Sequence, residues 1–163
     1  MEKLSRLPSI KRRIEYLAKE TAELTGLAGF PLYLTLLFEA DALFLNDDRH
    51  LNNIAVLEKD GHYDYCPIFD NGAGLLSNTQ SAPMEIEPKA LTRTTTARPF
   101  QTTFNRQVIH ARNLFGPQLH IPKFTEMQIR AELEEPLAYY AKRDRDLIAR
   151  RVCQTVLVRQ KEL

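Results

Sequence analysis

The stretch Pro31–Leu45, PLYLTLLFEADALFL, constrains the fold more than any other part of the chain. Wound at about 3.6 residues per turn, it is apolar nearly all round. A helix of this kind has no face to give to water, so it belongs at the centre of a helical assembly. Pro31 suits the first turn, where a missing N–H costs nothing. The run falls short of the ~20 apolar residues that span a bilayer. With 163 residues, the chain suits one domain built around such a helix.

Other helices follow from periodicity and caps. PSIKRRIEYLAKETAELTG reads as a first helix, with Ser9 as N-cap and Gly26 at its C-terminal stop. Its apolar positions Ile10, Ile14, Leu17 and Leu24 fall near one face. FNRQVIHARNLFG is a further helix, with Phe104, Val108 and Phe115 on one side and Gly116-Pro117 ending it. KFTEMQIRAELEE opens with a capping box, Thr125 with Gln128, and a hydrophobic staple, Phe124 with Ile129. The closing segment EPLAYYAKRDRDLIARRVCQTVLVRQKEL reads as one helix, or two broken near Asp144, with Ile148, Val152 and Val156 as its apolar stripe. Its arginines, Arg143, Arg145, Arg150 and Arg151, are interleaved with Asp144 and Asp146 and read as a solvated face.

Between these helices the period changes. Ile54–Leu57 and Tyr63–Phe69 flank KDGH, and Asp60-Gly61 is a strong hairpin signal. Pro67 makes the second run an edge strand or irregular. Residues 77–100 carry three prolines and read as a long polar loop, TRTTTAR included. The fold class is therefore mainly α with one central β-hairpin.

The hairpin brings distant polar groups together. Asp48 and Asn53, in LNDDRHLNN, precede its first strand, and Asp70, in FDNG, follows its second. Both places lie at one end of the ribbon. Two carboxylates and an amide are hard oxygen ligands, which suit Mg²⁺ rather than zinc. In phosphoryl transfer an Asp receives or orients the attacking hydroxyl, while an Asn five residues on and an Asp beyond a hairpin hold the metal. Asp47 and Asn46 read as turn and capping residues, and Arg49 is expected to pair with Asp47 or Asp70. Gly72 and Gly74 suit either turn geometry or close backbone approach to a phosphate.

LNDDRHLNNIAVL followed by CPIFDNGAGLL resembles the catalytic and metal-binding loops of HipA-like serine/threonine kinases. Phosphatidylinositol 3- and 4-kinases share the Asp-Arg-His-x-x-Asn order but are expected to carry Asp-Phe-Gly, which is absent here. The resemblance spans residues 30–76 and the flanking helices, and implies the C-terminal, helical lobe of the protein-kinase fold. It implies Asp48 as catalytic base, Asn53 and Asp70 as Mg²⁺ ligands, Arg49 and His50 as braces of the loop, and ATP as co-substrate. A kinase also uses an N-terminal lobe with a glycine-rich loop and a strand lysine. The roughly thirty residues before the central helix read as a helix without such a loop, so the N-lobe is not expected within residues 1–163.

Two functions follow. One is Mg²⁺-dependent phosphoryl transfer from ATP to a Ser or Thr hydroxyl, once an N-lobe completes the site. The other is a non-catalytic interaction module, whose partner is an N-lobe-like or antitoxin-like protein. The net charge of +1 gives no global field for nucleic acid or an anionic membrane. The start MEKLSRLPSIKRR lacks an apolar signal core, and Cys66 and Cys153 lack metal-like spacing. Reduced thiols and a cytoplasmic location are the expectation.

Overall fold

The computed structural model describes residues 2–120 and 123–163. The elements run α1 (Glu2–Ser5), α2 (Ile10–Thr25), α3 (Phe30–Phe44), a 3₁₀ turn (Leu51–Asn53), β1 (Val56–Lys59), β2 (His62–Tyr65), α4 (Pro88–Leu91), α5 (Phe104–Phe115), α6 (Glu126–Leu137) and α7 (Lys142–Glu162). The protein is mainly α-helical with a small antiparallel hairpin. Among the described residues no helix is long and apolar enough to cross a membrane.

The central helix is α3, as its composition demands. It packs against α2, α5 and α7. Leu34, Leu37, Phe38 and Ala42 of α3 are fully buried and meet Ile14 and Ala18 of α2 and Phe104, Val108 and Ala111 of α5. A smaller core joins Ile129 of α6 to Cys153 and Val156 of α7, with Phe124 packed against it. The staple and the capping box are thus both formed; Thr125 accepts from the Gln128 N–H and Gln128 returns to the Thr125 N–H. Ser9 caps α2 by accepting from the Arg12 N–H, and Gly26 ends it in the left-handed region.

The hairpin is shorter than the apolar runs suggest. β1 and β2 pair in the register Val56↔Tyr65 to Lys59↔His62. Asp60 and Gly61 both have positive φ, 52° and 77°, which makes the two-residue turn that matches strand twist. Pro67 lies beyond the ladder, so its missing N–H breaks no pairing. The ribbon is central in the sequence but peripheral in space, and most of its residues are exposed. Tyr65 seats it on the protein by packing on Tyr33 of α3, whose hydroxyl donates to the Cys66 carbonyl at 2.7 Å.

Two readings of the C-terminal region are corrected. The helix does not break near Asp144. The break is at residues 138–141, after Pro136 in the last turn of α6. Asp144 lies in the first turn of α7, where a carboxylate complements the positive helix end. Arg151 is not on a solvated face. It is buried and donates to the carbonyls of Leu76, Ala82, Pro83 and Ile86. One guanidinium therefore ties down the first half of the long 77–100 loop, whose second half is held by buried Leu91, Ala97 and Phe100.

Arg151→Ala is expected to cost about 1–3 kcal/mol, because it leaves buried carbonyls without donors. Hydrogen exchange should accelerate first over residues 76–86. Unchanged exchange there would show that the loop holds without the arginine.

Candidate functional site

The site starts where α3 ends. Leu45 closes the helix in the left-handed region at φ 52°, with its N–H bonded to the Asp41 carbonyl. Such a backbone is unfavourable for a leucine, but the side chain is fully buried in the core and holds it. The chain then turns through Asn46, whose side-chain oxygen accepts from the Asp48 N–H at 3.4 Å. The His50 N–H donates to the Asp48 carbonyl, and the Asn53 N–H to the His50 carbonyl, which winds the 3₁₀ turn.

Arg49 organises everything around it. Its side chain is completely buried. Nε and Nη2 donate to the two Asp41 carboxylate oxygens, each at 2.9 Å. Nη1 donates to the carbonyls of Asn53 at 3.2 Å and Phe69 at 2.6 Å. Nη2 also reaches the Asn71 side-chain oxygen at 2.7 Å. The expected partners Asp47 and Asp70 are not the ones used. Asp41 wins because it is buried at the end of α3, where an ionised carboxylate needs a cation beside it. Burial raises its pKa and the Arg49 guanidinium opposes that rise. Asn46 completes the knot by donating to Asp41 Oδ1 at 3.1 Å and to the Asp70 carbonyl at 3.3 Å.

This hub pins the loop before the hairpin to the loop after it. Asn53 is buried, and its Nδ2 donates to Asp70 Oδ2 at 2.6 Å and to the Asp48 carbonyl at 3.3 Å. Asp70 takes positive φ, 54°, a conformation that Asp tolerates better than most residues. Asn53 and Asp70 therefore meet directly. Asp48 joins them through its main chain, while its carboxylate turns to Arg98, with Oδ1 at 2.7 Å from Nη1. His50 braces the loop through its N–H and carbonyl, and its residue lines an adjoining cleft.

Gly74 is explained by close packing. A Cβ there would stand 3.2 Å from the Asn71 carbonyl oxygen and 3.3 Å from that of Phe44. Leu75 N–H bonds to that same Phe44 carbonyl, so FDNGAGLL lies against the end of α3.

The donor set is what a hard cation uses. Asp70 is exposed, and the Asn53 amide stands against its Oδ2 with a partial positive charge where a cation would sit. Turning the amide over presents its oxygen beside the carboxylate. Among the described residues no three His, Cys, Asp or Glu side chains cluster as a metal site. Mg²⁺ sites in general use one or two protein ligands and fill the rest of the shell with water and phosphate oxygens.

Asp47 has its pKa raised, first by burial and then by the neighbouring Asp48 charge. A raised carboxyl pKa means that its stabilising contribution is present below the unfolded value, about 3.9, and is lost as pH rises through the folded value. Asp47→Asn should therefore match wild type in unfolding free energy near pH 3 and exceed it at pH 7. Equal pH profiles would show that Asp47 is solvated.

Sequence reading missed Asp41 and Arg98. Asp41 carried a signal: a carboxylate in an apolar helix must find a cation when buried. Arg98 carried none, because only folding brings it to Asp48.

Compared with protein-family models, with curated proteins and with solved structures, the chain matches none.

Proposed function

We propose that the chain is the C-terminal catalytic lobe of a HipA-like protein serine/threonine kinase, completed by an N-lobe. The observation that carries this reading is the contact of Asn53 with Asp70 between the segments that enter and leave the hairpin, with the Asp48 main-chain carbonyl accepting from the same Asn53 amide. In this reading Asn53 and Asp70 are the residues that would hold Mg²⁺, and the ion when bound would supply positive charge to the ATP phosphates. Asp48 faces the Ser or Thr hydroxyl and receives its proton as the γ-phosphoryl group leaves ATP for that oxygen. Arg49 holds both loops and touches neither substrate.

Calorimetry tests the reading. Wild type should bind Mg²⁺–ATP, and Asp70→Asn should weaken that binding by about tenfold or more, since it removes the charge that meets the metal. Equal affinities would sink the assignment of Asp70.

A second reading is favoured by the hairpin and the segment just after it, which expose Leu57, Tyr63, Tyr65 and Phe69. It is a non-catalytic module that binds an N-lobe-like or antitoxin-like protein through this ribbon. Co-purification with the adjacent gene's product supports it, and a clean monomer in that mixture counts against it.

A further inference from the structure

Beside Asp48 lies an open cleft of about 490 Å³ lined by His50, Leu51, Asn52, Arg98, Pro99 and Gln101. Arg98 is the one Lys, Arg, Asp or Glu among the lining residues. Its backbone is fixed from three sides. Ala97 and Thr102 exchange both N–H···O bonds, at 2.7 and 3.2 Å. Phe100, inside that turn, is buried edge-on against Phe38. Gln107, itself buried, donates Nε2 to the Arg98 carbonyl at 3.1 Å.

The guanidinium is held less tightly than the backbone. It is 51% exposed, and its one polar contact among the described residues is Nη1 to Asp48. A guanidinium carries five donors in a planar fork that matches a carboxylate through two parallel bonds. Most of that fork is unused. A half-exposed pair of this kind is weak, so an incoming carboxylate can share or take the cation at little cost. Asp48 then keeps its other oxygen, or both, for the hydroxyl.

We infer that this cleft is the acceptor-binding site and that Arg98 selects a peptide whose Ser or Thr is followed by an acidic residue. The inference rests on the kinase reading for the role of Asp48, but the binding itself needs neither nucleotide nor metal. Arg98 is a recognition residue here: it meets the acceptor's carboxylate while Asp48 meets the hydroxyl. The cleft offers a donor fork and amides to that carboxylate, and the carboxylate it must share the fork with is that of Asp48, at 2.7 Å from Nη1.

The test uses the full chain and two blocked peptides, one containing Ser-Asp and one Ser-Asn. Binding is followed by the NMR shifts of the Arg98 Nε–H and the Asn52 and Gln101 side-chain amides. The Ser-Asp peptide should bind about two- to fivefold more tightly, the usual worth of one half-exposed ion pair. The preference should shrink with added salt. Arg98→Gln should abolish it, and Arg98→Lys should keep part of it. Both variants change a half-exposed side chain, and thermal unfolding verifies that they fold. Equal binding of the two peptides, no binding of either, or a preference that survives Arg98→Gln would overturn the inference. Asp70→Asn should leave the preference intact. If wild type keeps the preference yet fails to bind Mg²⁺–ATP, the kinase reading falls and the carboxylate cleft stands.

Discussion

Arg49→Ala is expected to cost about 3–5 kcal/mol of unfolding free energy, the usual result of leaving one partner of a buried ion pair alone. The loss is large because Asp41 stays in the core with only Asn46 beside it. The carbonyls of Asn53 and Phe69 and the Asn71 side chain lose their shared donor as well. A domain is stable by only about 5–15 kcal/mol, so the variant should be close to unfolding at 37 °C. Denaturant melts measure this directly. The double variant Arg49→Met with Asp41→Leu separates fold from site. Replacing both charges with apolar groups of similar size commonly restores stability. It should recover much of the loss while leaving the two loops unpinned, so that the Asn53–Asp70 contact is not rebuilt. A double variant as unstable as Arg49→Ala would mean that the carbonyl contacts, not the ion pair, dominate.

Glu39→Ala should cost somewhat less, about 2–4 kcal/mol, because the arginine left behind is partly exposed while two backbone donors lose their acceptor. Glu39 has no exposure, and α3 carries it into the core. Its Oε1 accepts from Arg112 Nε at 2.5 Å, and its Oε2 accepts from the N–H groups of Gln118 and Leu119. The alanine removes a charge-assisted partner from α5 and strands two backbone donors just past its end. Glu39→Gln keeps the shape and one acceptor, so it should recover part of the loss. Equal destabilisation by Ala and Gln would show that the negative charge carries the whole effect.

Much of the frame was legible because the signals were local. The Ser9 cap, the Gly26 stop, the Thr125–Gln128 box and the Asp60-Gly61 turn each depend on residues a few positions apart. The apolar run of α3 announced its own central place. The convergence of Asn53 and Asp70 was also legible, since a two-residue turn fixes which ends of a ribbon coincide. What was not legible is which charges are buried. Arg151 sits in an arginine-rich stretch with Asp144 and Asp146 that reads as a surface, yet it faces four carbonyls of a loop some seventy residues away. Arg49 had four carboxylates nearby in sequence or in the expected site, Asp41, Asp47, Asp48 and Asp70, and it pairs with Asp41, which is desolvated. Burial is a property of the packed whole, and no short window of sequence reports it.

In the proposed kinase reading Asn53 and Asp70, whose loops are pinned by Arg49, would hold a phosphate-bound Mg²⁺. The most direct measurement is the NMR signal of the Asn53 side-chain amide during titration with Mg²⁺–ATP, in wild type and in Asp70→Asn. A large shift is expected in wild type, where the amide would give up its bond to Asp70 Oδ2, and little change in the variant. An Asn53 signal that does not move in wild type, or moves equally in both proteins, would contradict the kinase reading.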